Sequence, residues 1–385
     1  MVILRSCLAL PELTELKFID VEMCWDSDKI TVMCELEDVI YEASMARASH
    51  FPNAKNIEYL QLPSNCAGLW NPLPLLLLKS DLLDLKACEI PWFRPDEDTW
   101  EIEQVVRKHC PNLTHLTCPD YYVEDLIAGH QDSQAQDGQV ARAFIRGCSG
   151  LRCFLAPNFI DGPDHEPMLI LSELVSRHFT TLEIFDLPGA DQVFSRDLQE
   201  ILSRCRQLKR FWVLGSPGEA SLSGIAFRDI SKSDWGCTEL RELGVTLNRC
   251  RFQRDPSGDL GEEEEQNDSH VWLDAGVTQR AYQQIGRLEK LEVLEIDIDR
   301  SFRTRAPEND YVWDLTIWKG WLGEWAGLKN LRSLRLRADF WSNMGQLDVE
   351  FMHEHWPLLN EIVFYCDVSQ FHTEPHWQWL LEKRP

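Results

Sequence analysis

Hydrophobic positions along the chain fall into a short pattern that keeps returning. A large apolar residue or Cys is followed by two variable residues and Leu. Two more variable residues come next, then an apolar residue, one variable residue and a last apolar residue. Cys110, Leu113, Leu116 and Cys118 form one copy, and Cys205, Leu208, Phe211 and Val213 another. Cys237, Leu240, Leu243 and Val245 repeat it, as do Leu288, Leu291, Leu294 and Ile296, and Leu328, Leu331, Leu334 and Leu336. Further copies begin at Leu10, Cys148, Phe179 and Trp356, and two weaker ones centre on Ile57, Leu60 and Leu62 and on Leu82, Leu85 and Ala87, about eleven in all. The last two apolar positions are two apart, so they share one face of a strand. The earlier apolar residues belong to the turn that leads into it. One such unit cannot bury its apolar face alone, whereas stacked neighbours share a continuous core.

Helical periodicity separates the copies. Leu198, Ile201, Leu202 and Cys205 recur on one helical face, with Ser195 as the expected N-cap. Similar spacing predicts helices over 99–109, 140–147, 168–178, 278–288 and 344–355. Strands that follow one another through helices must run parallel.

These repeats resemble the leucine-rich repeat in its longer, ribonuclease-inhibitor-like form. The segment Cys110-Pro-Asn-Leu113-Thr-His-Leu116-Thr-Cys118 is most similar to the cysteine-containing repeats of F-box/leucine-rich-repeat proteins. The resemblance covers about residues 8 to 370. It implies a single α/β solenoid over residues 1–385, an irregular horseshoe with a curved parallel sheet on the concave side and helices on the convex side. The repeat length varies widely, from 25 residues (Ile57 to Leu82) to 51 (Leu240 to Leu291). The Asn that usually follows the strand is mostly absent, and Pro63, Pro119, Pro157 and Pro188 stand in its place.

The family likeness implies non-enzymatic protein recognition on the concave face, as the substrate-binding part of a ubiquitin-ligase receptor whose cullin-type ligase components are recruited through an F-box. The residues before Leu10 leave no room for the ~40–50 residues of such a module. Either the F-box precedes this chain in the full gene, or the protein is a stand-alone scaffold or inhibitor of a basic protein partner.

Charge narrows the partners. The sequence carries 63 Asp and Glu against 38 Lys and Arg, a net charge of −25 that repels nucleic acid and anionic lipid. The strongest apolar run, Leu69 to Leu78, is broken by two prolines and falls short of the ~20 residues that span a bilayer. Thirteen cysteines without a Cys-x-x-Cys pair suit buried reduced thiols in an intracellular protein, cytoplasmic or nuclear. A monomer is expected. Residues 255–274 hold eight acids and no Lys or Arg, an expected disordered insertion. Residues 129–139 read as a polar loop, and 371–385 as a C-terminal cap on the last repeat.

The usual catalytic signatures are missing: there is no phosphate-binding glycine loop, no nucleophile elbow and no His-Glu-x-x-His. His372 and His376 have a ligand-like spacing, but Pro375 interrupts any helix that would align them. No cofactor and no metal are expected.

The variable positions beside the strand apolar residues carry the candidate chemistry, because they face away from the core. Lys17, Gln61, Lys86, Thr117, Leu155, Asp186, Trp212, Gly244, Glu295, Arg335 and Val363 form one ladder. Glu15, Tyr59, Asp84, His115, Cys153, Ile184, Arg210, Glu242, Val293, Ser333 and Glu361 form the other. Trp212 beside Arg210 has the composition of a binding hot spot. With Leu155, Cys153 and Ile184 it would make an apolar centre rimmed by Asp186, Arg210 and Glu242. A one-residue slip in register would instead bury Trp212 in the core. The basic row Arg332, Arg335 and Arg337 faces the acids Glu295, Asp297 and Asp299 one repeat earlier, which predicts cross-strand pairing.

Overall fold

A computed structural model describes residues 15–17, 58–61, 82–89, 99–118, 134–157, 168–190, 193, 195–215, 224–248, 275–298, 321–336 and 346–364. The acidic insertion 255–274, the cap 371–385, the 69–78 run and His372 and His376 lie outside these residues. The chain divides into two compact units, Met1–Leu182 and Glu183–Pro385.

Among the described residues of the first unit, five strands lie side by side in chain order, all parallel: β1 (Glu15–Lys17), β2 (Tyr59–Gln61), β3 (Ala87–Glu89), β4 (His115–Thr117) and β5 (Cys153–Leu155). Helices α1 (Thr99–His109), α2 (Gln134–Gly147) and α3 (Met168–His178) follow β3, β4 and β5. The bounds of α1 and α3 are those the periodicity predicts. Helix α1 stops at Cys110, ahead of Pro111, whose ring is incompatible with the preceding residue continuing a helix. Helix α2 begins six residues earlier than expected, so 134–139 are helical and only 129–133 of the expected polar loop remain undescribed. Its polar first turns carry no apolar stripe to announce them.

The second unit orders its strands as β6 (Ile184–Pro188), β7 (Arg210–Leu214), β9 (Glu242–Asn248), β10 (Val293–Ile298), β11 (Ser333–Leu336) and β12 (Glu361–Phe364), again all parallel. A two-residue strand, β8 (Ile225–Ala226), adds to β9. Helices α4 (Ser195–Arg204), α5 (Phe227–Ile230), α6 (Ala275–Gly286) and α7 (Gln346–His355), with a 3-10 turn at Leu322–Trp325, connect the strands. Each unit has the α/β leucine-rich-repeat architecture: a parallel sheet, unclosed, whose strands alternate with helices.

The backbone explains the repeated spacing. The apolar residue and the Leu three positions on close a turn: Leu113 N–H donates to Cys110 O at 3.2 Å, Leu208 to Cys205 at 3.2 Å and Leu331 to Leu328 at 3.0 Å. The carbonyl just before each strand then accepts two successive N–H groups from the next repeat. Lys209 O takes those of Arg241 and Glu242 at 2.8 and 3.0 Å, and Arg241 O those of Glu292 and Val293 at 2.7 and 3.0 Å. Turn and double acceptor hold register, so the strand Leu always returns to the same face. Leu113, Leu116, Leu208, Phe211, Leu240, Leu243, Leu291, Leu294, Leu331 and Leu334 are all fully buried, each burial being worth ~1.5–3 kcal/mol.

One register differs from expectation. In β3 the residue paired with Leu116 is Cys88, and Ala87 pairs with His115. Leu82 and Leu85 are therefore the turn pair, joined by the Leu85 N–H to Leu82 O bond at 3.1 Å, and Asp84 and Lys86 precede the strand. The apolar run allowed two phasings three residues apart, and the buried Cys88 decides between them.

Buried aromatic residues stack within the core of the second unit. Tyr282 stacks on Trp325 with ring centroids 5.1 Å apart. The Trp325 indole N–H donates to Tyr282 O at 3.1 Å, and that of Trp356 to Trp325 O at 2.9 Å. Each buried indole thus finds its polar partner. Ser195 opens α4, and its hydroxyl donates to Asp229 at 2.8 Å while accepting the Ala226 N–H at 3.0 Å. It thereby ties α4 to the β8–α5 excursion. The described cysteines 88, 110, 118, 148, 153, 205 and 237 are all buried. Burial pushes the thiols of Cys118, Cys205 and Cys237 up to about 12.

Candidate recognition face

On the strands of the second unit, side chains alternate between the core and the opposite sheet face. Along β7, Phe211 and Val213 are buried while Arg210 and Trp212 are half-exposed. Trp212 is therefore off the core, and the slipped register is not the one adopted.

Strand pairing sets its neighbours. One row across the face reads Ile184, Arg210, Glu242, Val293, Ser333 and Glu361, and the next reads Asp186, Trp212, Gly244, Glu295, Arg335 and Val363. Trp212 lies against Gly244. A methyl group at Gly244 would meet the indole carbons Cδ2, Cε2 and Cε3 at 2.5, 2.7 and 2.8 Å. The three near-equal distances place the flat of the ring on the glycine backbone, a seat that only a residue without Cβ provides.

Arg210 bridges two acids. Its Nε and Nη2 reach Asp186 Oδ2 at 2.9 and 2.8 Å, and its Nη1 reaches Glu242 Oε2 at 2.6 Å. Its guanidinium also lies 4.9 Å from the Trp212 ring centroid, within cation–π range. The glycine seat and the guanidinium beside it thus restrain the Trp212 ring before any partner arrives.

Asp186 differs from the rim residue expected. It is only 6% exposed, since Arg210 spans it and Trp212 stands beside it in the register. Its Oδ1 is buried and makes no hydrogen bond. Burial raises its carboxyl above the usual range; Arg210 pulls the other way, and Glu242 adds to the rise.

A second acid–arginine group lies farther along the same face. Arg335 Nη2 reaches Glu361 at 3.1 Å, its Nη1 lies 3.7 Å from the buried Glu295, and its Nε donates to the Ser333 hydroxyl at 3.2 Å. Ser333 in turn donates to Glu361. The expected pairing of Arg335 with Glu295 is present, and Arg332 lies 3.8 Å from Glu292. Arg337 and Asp299 lie outside the described residues.

The face therefore brings together Asp186, Arg210, Trp212 and Glu242, with Ile184 half-buried beside Arg210 in the register. Leu155 is half-buried on β5 of the first unit, and Cys153 beside it is buried, so it does not contribute exposed apolar surface. Gly244 was visible in the sequence as an outward position. Its role shows only once pairing sets it opposite Trp212. Among the described residues no group of His, Cys, Asp and Glu is arranged to hold a metal ion, and no helix is long and apolar enough to cross a membrane.

No protein-family profile matches the sequence, and no curated protein matches it. Among solved structures, the chain is similar to the leucine-rich repeat-containing protein LegL7 from Legionella pneumophila. Identity is 12%, the match covers 85% of this chain and 98% of that one, and the TM-score is 0.31. It is also similar to a chain of the Rad7 and Elc1 complex in yeast, at 13% identity, 93% and 97% coverage and a TM-score of 0.30. Superpositions at this level identify no family, and the fold assignment rests on the strand register and the repeating turn.

Proposed function

We propose that the chain recognises a protein partner through the sheet face that carries Trp212 and Arg210. One observation carries this reading: a half-exposed Trp, off the core, is seated flat on Gly244 with a guanidinium 4.9 Å from its ring. Trp is among the residues that dominate binding hot spots, and a ring already held in place loses little entropy on binding. The cysteine-containing repeats support the finer reading of a substrate-binding part of an F-box-type ubiquitin-ligase receptor. The excess of carboxylates on the face supports the second reading, a scaffold or inhibitor that holds a basic protein without recruiting a ligase.

Affinity purification from the native cell, with wild type and Trp212→Ala compared by mass spectrometry, tests the proposal. A specific protein should be depleted from the variant, consistent with a loss of ~2 kcal/mol at a hot spot. Co-purification of cullin-ligase components with both versions would select the receptor reading, and their absence the scaffold or inhibitor. A variant that keeps every partner at wild-type level refutes recognition through Trp212.

A further inference from the structure

Resting on that reading of the face, we propose that its occupant is a basic segment of a protein partner, with one arginine or lysine side chain received between Asp186 and Glu242 against Trp212. Charge is the first argument. Among the described residues, Asp186, Glu242, Glu295, Asp297 and Glu361 stand on this face of the second unit against two guanidiniums, Arg210 and Arg335. A face of that balance repels acidic segments and phosphate and steers basic ones toward it.

The second argument is a defect within the cluster. Arg210 gives both Nε and Nη2 to one oxygen of Asp186, Oδ2. The other, Oδ1, is buried without a donor, although a carboxylate oxygen removed from water ordinarily finds one. An incoming guanidinium or ammonium that takes the place of Arg210 supplies that missing donor, and a guanidinium can span both oxygens as a fork. Trp212 adds a ring whose surroundings already accept a cation at 4.9 Å.

Arg210 is then a built-in placeholder. It pairs with both carboxylates in the free protein, and it swings out when the partner's cation enters. Its side chain is 37% exposed, so the outward path is open. The exchange keeps the ion pairs and satisfies Asp186 Oδ1.

The test is fluorescence anisotropy of the full chain with a labelled peptide of alternating arginine and glycine, at low and at physiological salt. The same peptide with glutamate for arginine is the comparison. The arginine peptide should bind and weaken with salt, and the glutamate peptide should not bind. Asp186→Asn and Glu242→Gln should each lower affinity by about tenfold. Arg210→Gln should bind at least as tightly as wild type. Replacing Glu262, Glu263, Glu264 and Glu265 by Gln should leave affinity within about twofold, because those acids belong to another segment. Melting curves verify that each variant folds; if Asp186→Asn does not, the half-exposed Glu242→Gln carries the test. No binding by wild type, loss of binding in Arg210→Gln, or loss confined to the 262–265 variant overturns the inference. If the native partner depends on Trp212 while the arginine peptide fails to bind, recognition through this face stands and only the basic occupant falls. If the native partner ignores Trp212→Ala, the recognition reading itself falls.

Discussion

Gly244→Ala isolates the seat of Trp212 from every other feature of the face. The backbone at 244 is not in the left-handed region, where among the described glycines only Gly189 and Gly224 lie, so alanine meets no backbone strain there. Relieving the unfolded-state entropy of glycine in a strand favours the folded variant by ~0.5–1 kcal/mol. The opposing effect is steric. The new methyl stands 2.5 Å from indole Cδ2, and ordinary contact begins at 3.4 Å, so the ring must lift by the difference, about 0.9 Å. Overpacking of this kind costs ~1–3 kcal/mol in a closed core. Trp212 is half-exposed and can relax outward, which puts the cost at the low end. Global stability should therefore change by no more than about 1 kcal/mol, while partner affinity should fall by about tenfold as the hot spot leaves its position. Thermal melts, titration calorimetry with the captured partner and the indole N–H resonance of Trp212 report the three quantities. Two results would refute the reasoning. One is a loss of stability as large as a core truncation. The other is a variant whose indole resonance and partner affinity match wild type.

Two further predictions concern the scaffold. Leu208 is fully buried and closes the turn before β7, so Leu208→Ala should cost ~2–5 kcal/mol in urea denaturation; a near-neutral result would contradict the register of β7. His178 is buried, with Nε2–H donating to Ile145 O at 2.9 Å and Nδ1 accepting the Leu151 N–H at 3.2 Å. That arrangement needs the neutral ring, and burial lowers the imidazole below its ordinary 6.5. A depressed value stabilises the fold fully above pH 6.5 and progressively less as pH falls from 6.5 through the folded-state value. Asp197, raised by burial to about 6, and Asp186 act with the opposite sign. They are common to wild type and His178→Gln, so they cancel in the comparison. Wild type should lose more stability than the variant between pH 7.5 and 5.5, and equal slopes would show that His178 has no part in the acid response.

Much of the framework is legible in the hydrophobic pattern, because each strand repeats one local requirement. The i to i+3 turn and the alternation after it depend on neighbouring residues only, so Cys205, Leu208, Phe211 and Val213 announce their roles without help from the rest of the chain. The misphased β3 shows where this stops. Leu82, Leu85 and Cys88 are equally spaced apolar residues, and only pairing with β4 chooses among them. The β8–α5 excursion was invisible for a related reason. Two residues of strand and four of helix are too short to show a period, and they are held by Ser195 and Gln199 of α4, which bond Ala226, Asp229 and Trp235.

The sequence by itself determined that strands and helices alternate, that the strands are parallel, and that Arg210 and Trp212 share one sheet face; burial of Phe211 and Val213 put that face away from the core. Those properties follow from side-chain periodicity and turn spacing, which are local. Tertiary structure alone decided what that face is chemically. Pairing of β7 with β9 put Gly244 under the Trp212 ring. Pairing of β6 with β7 buried Asp186 beneath Arg210 and left one of its oxygens without a donor. Residues 24 to 32 positions apart in the chain meet there, Arg210 lying 2.6–2.9 Å from its two acids, and such distances are set by which strands lie side by side, a choice that no single repeat contains.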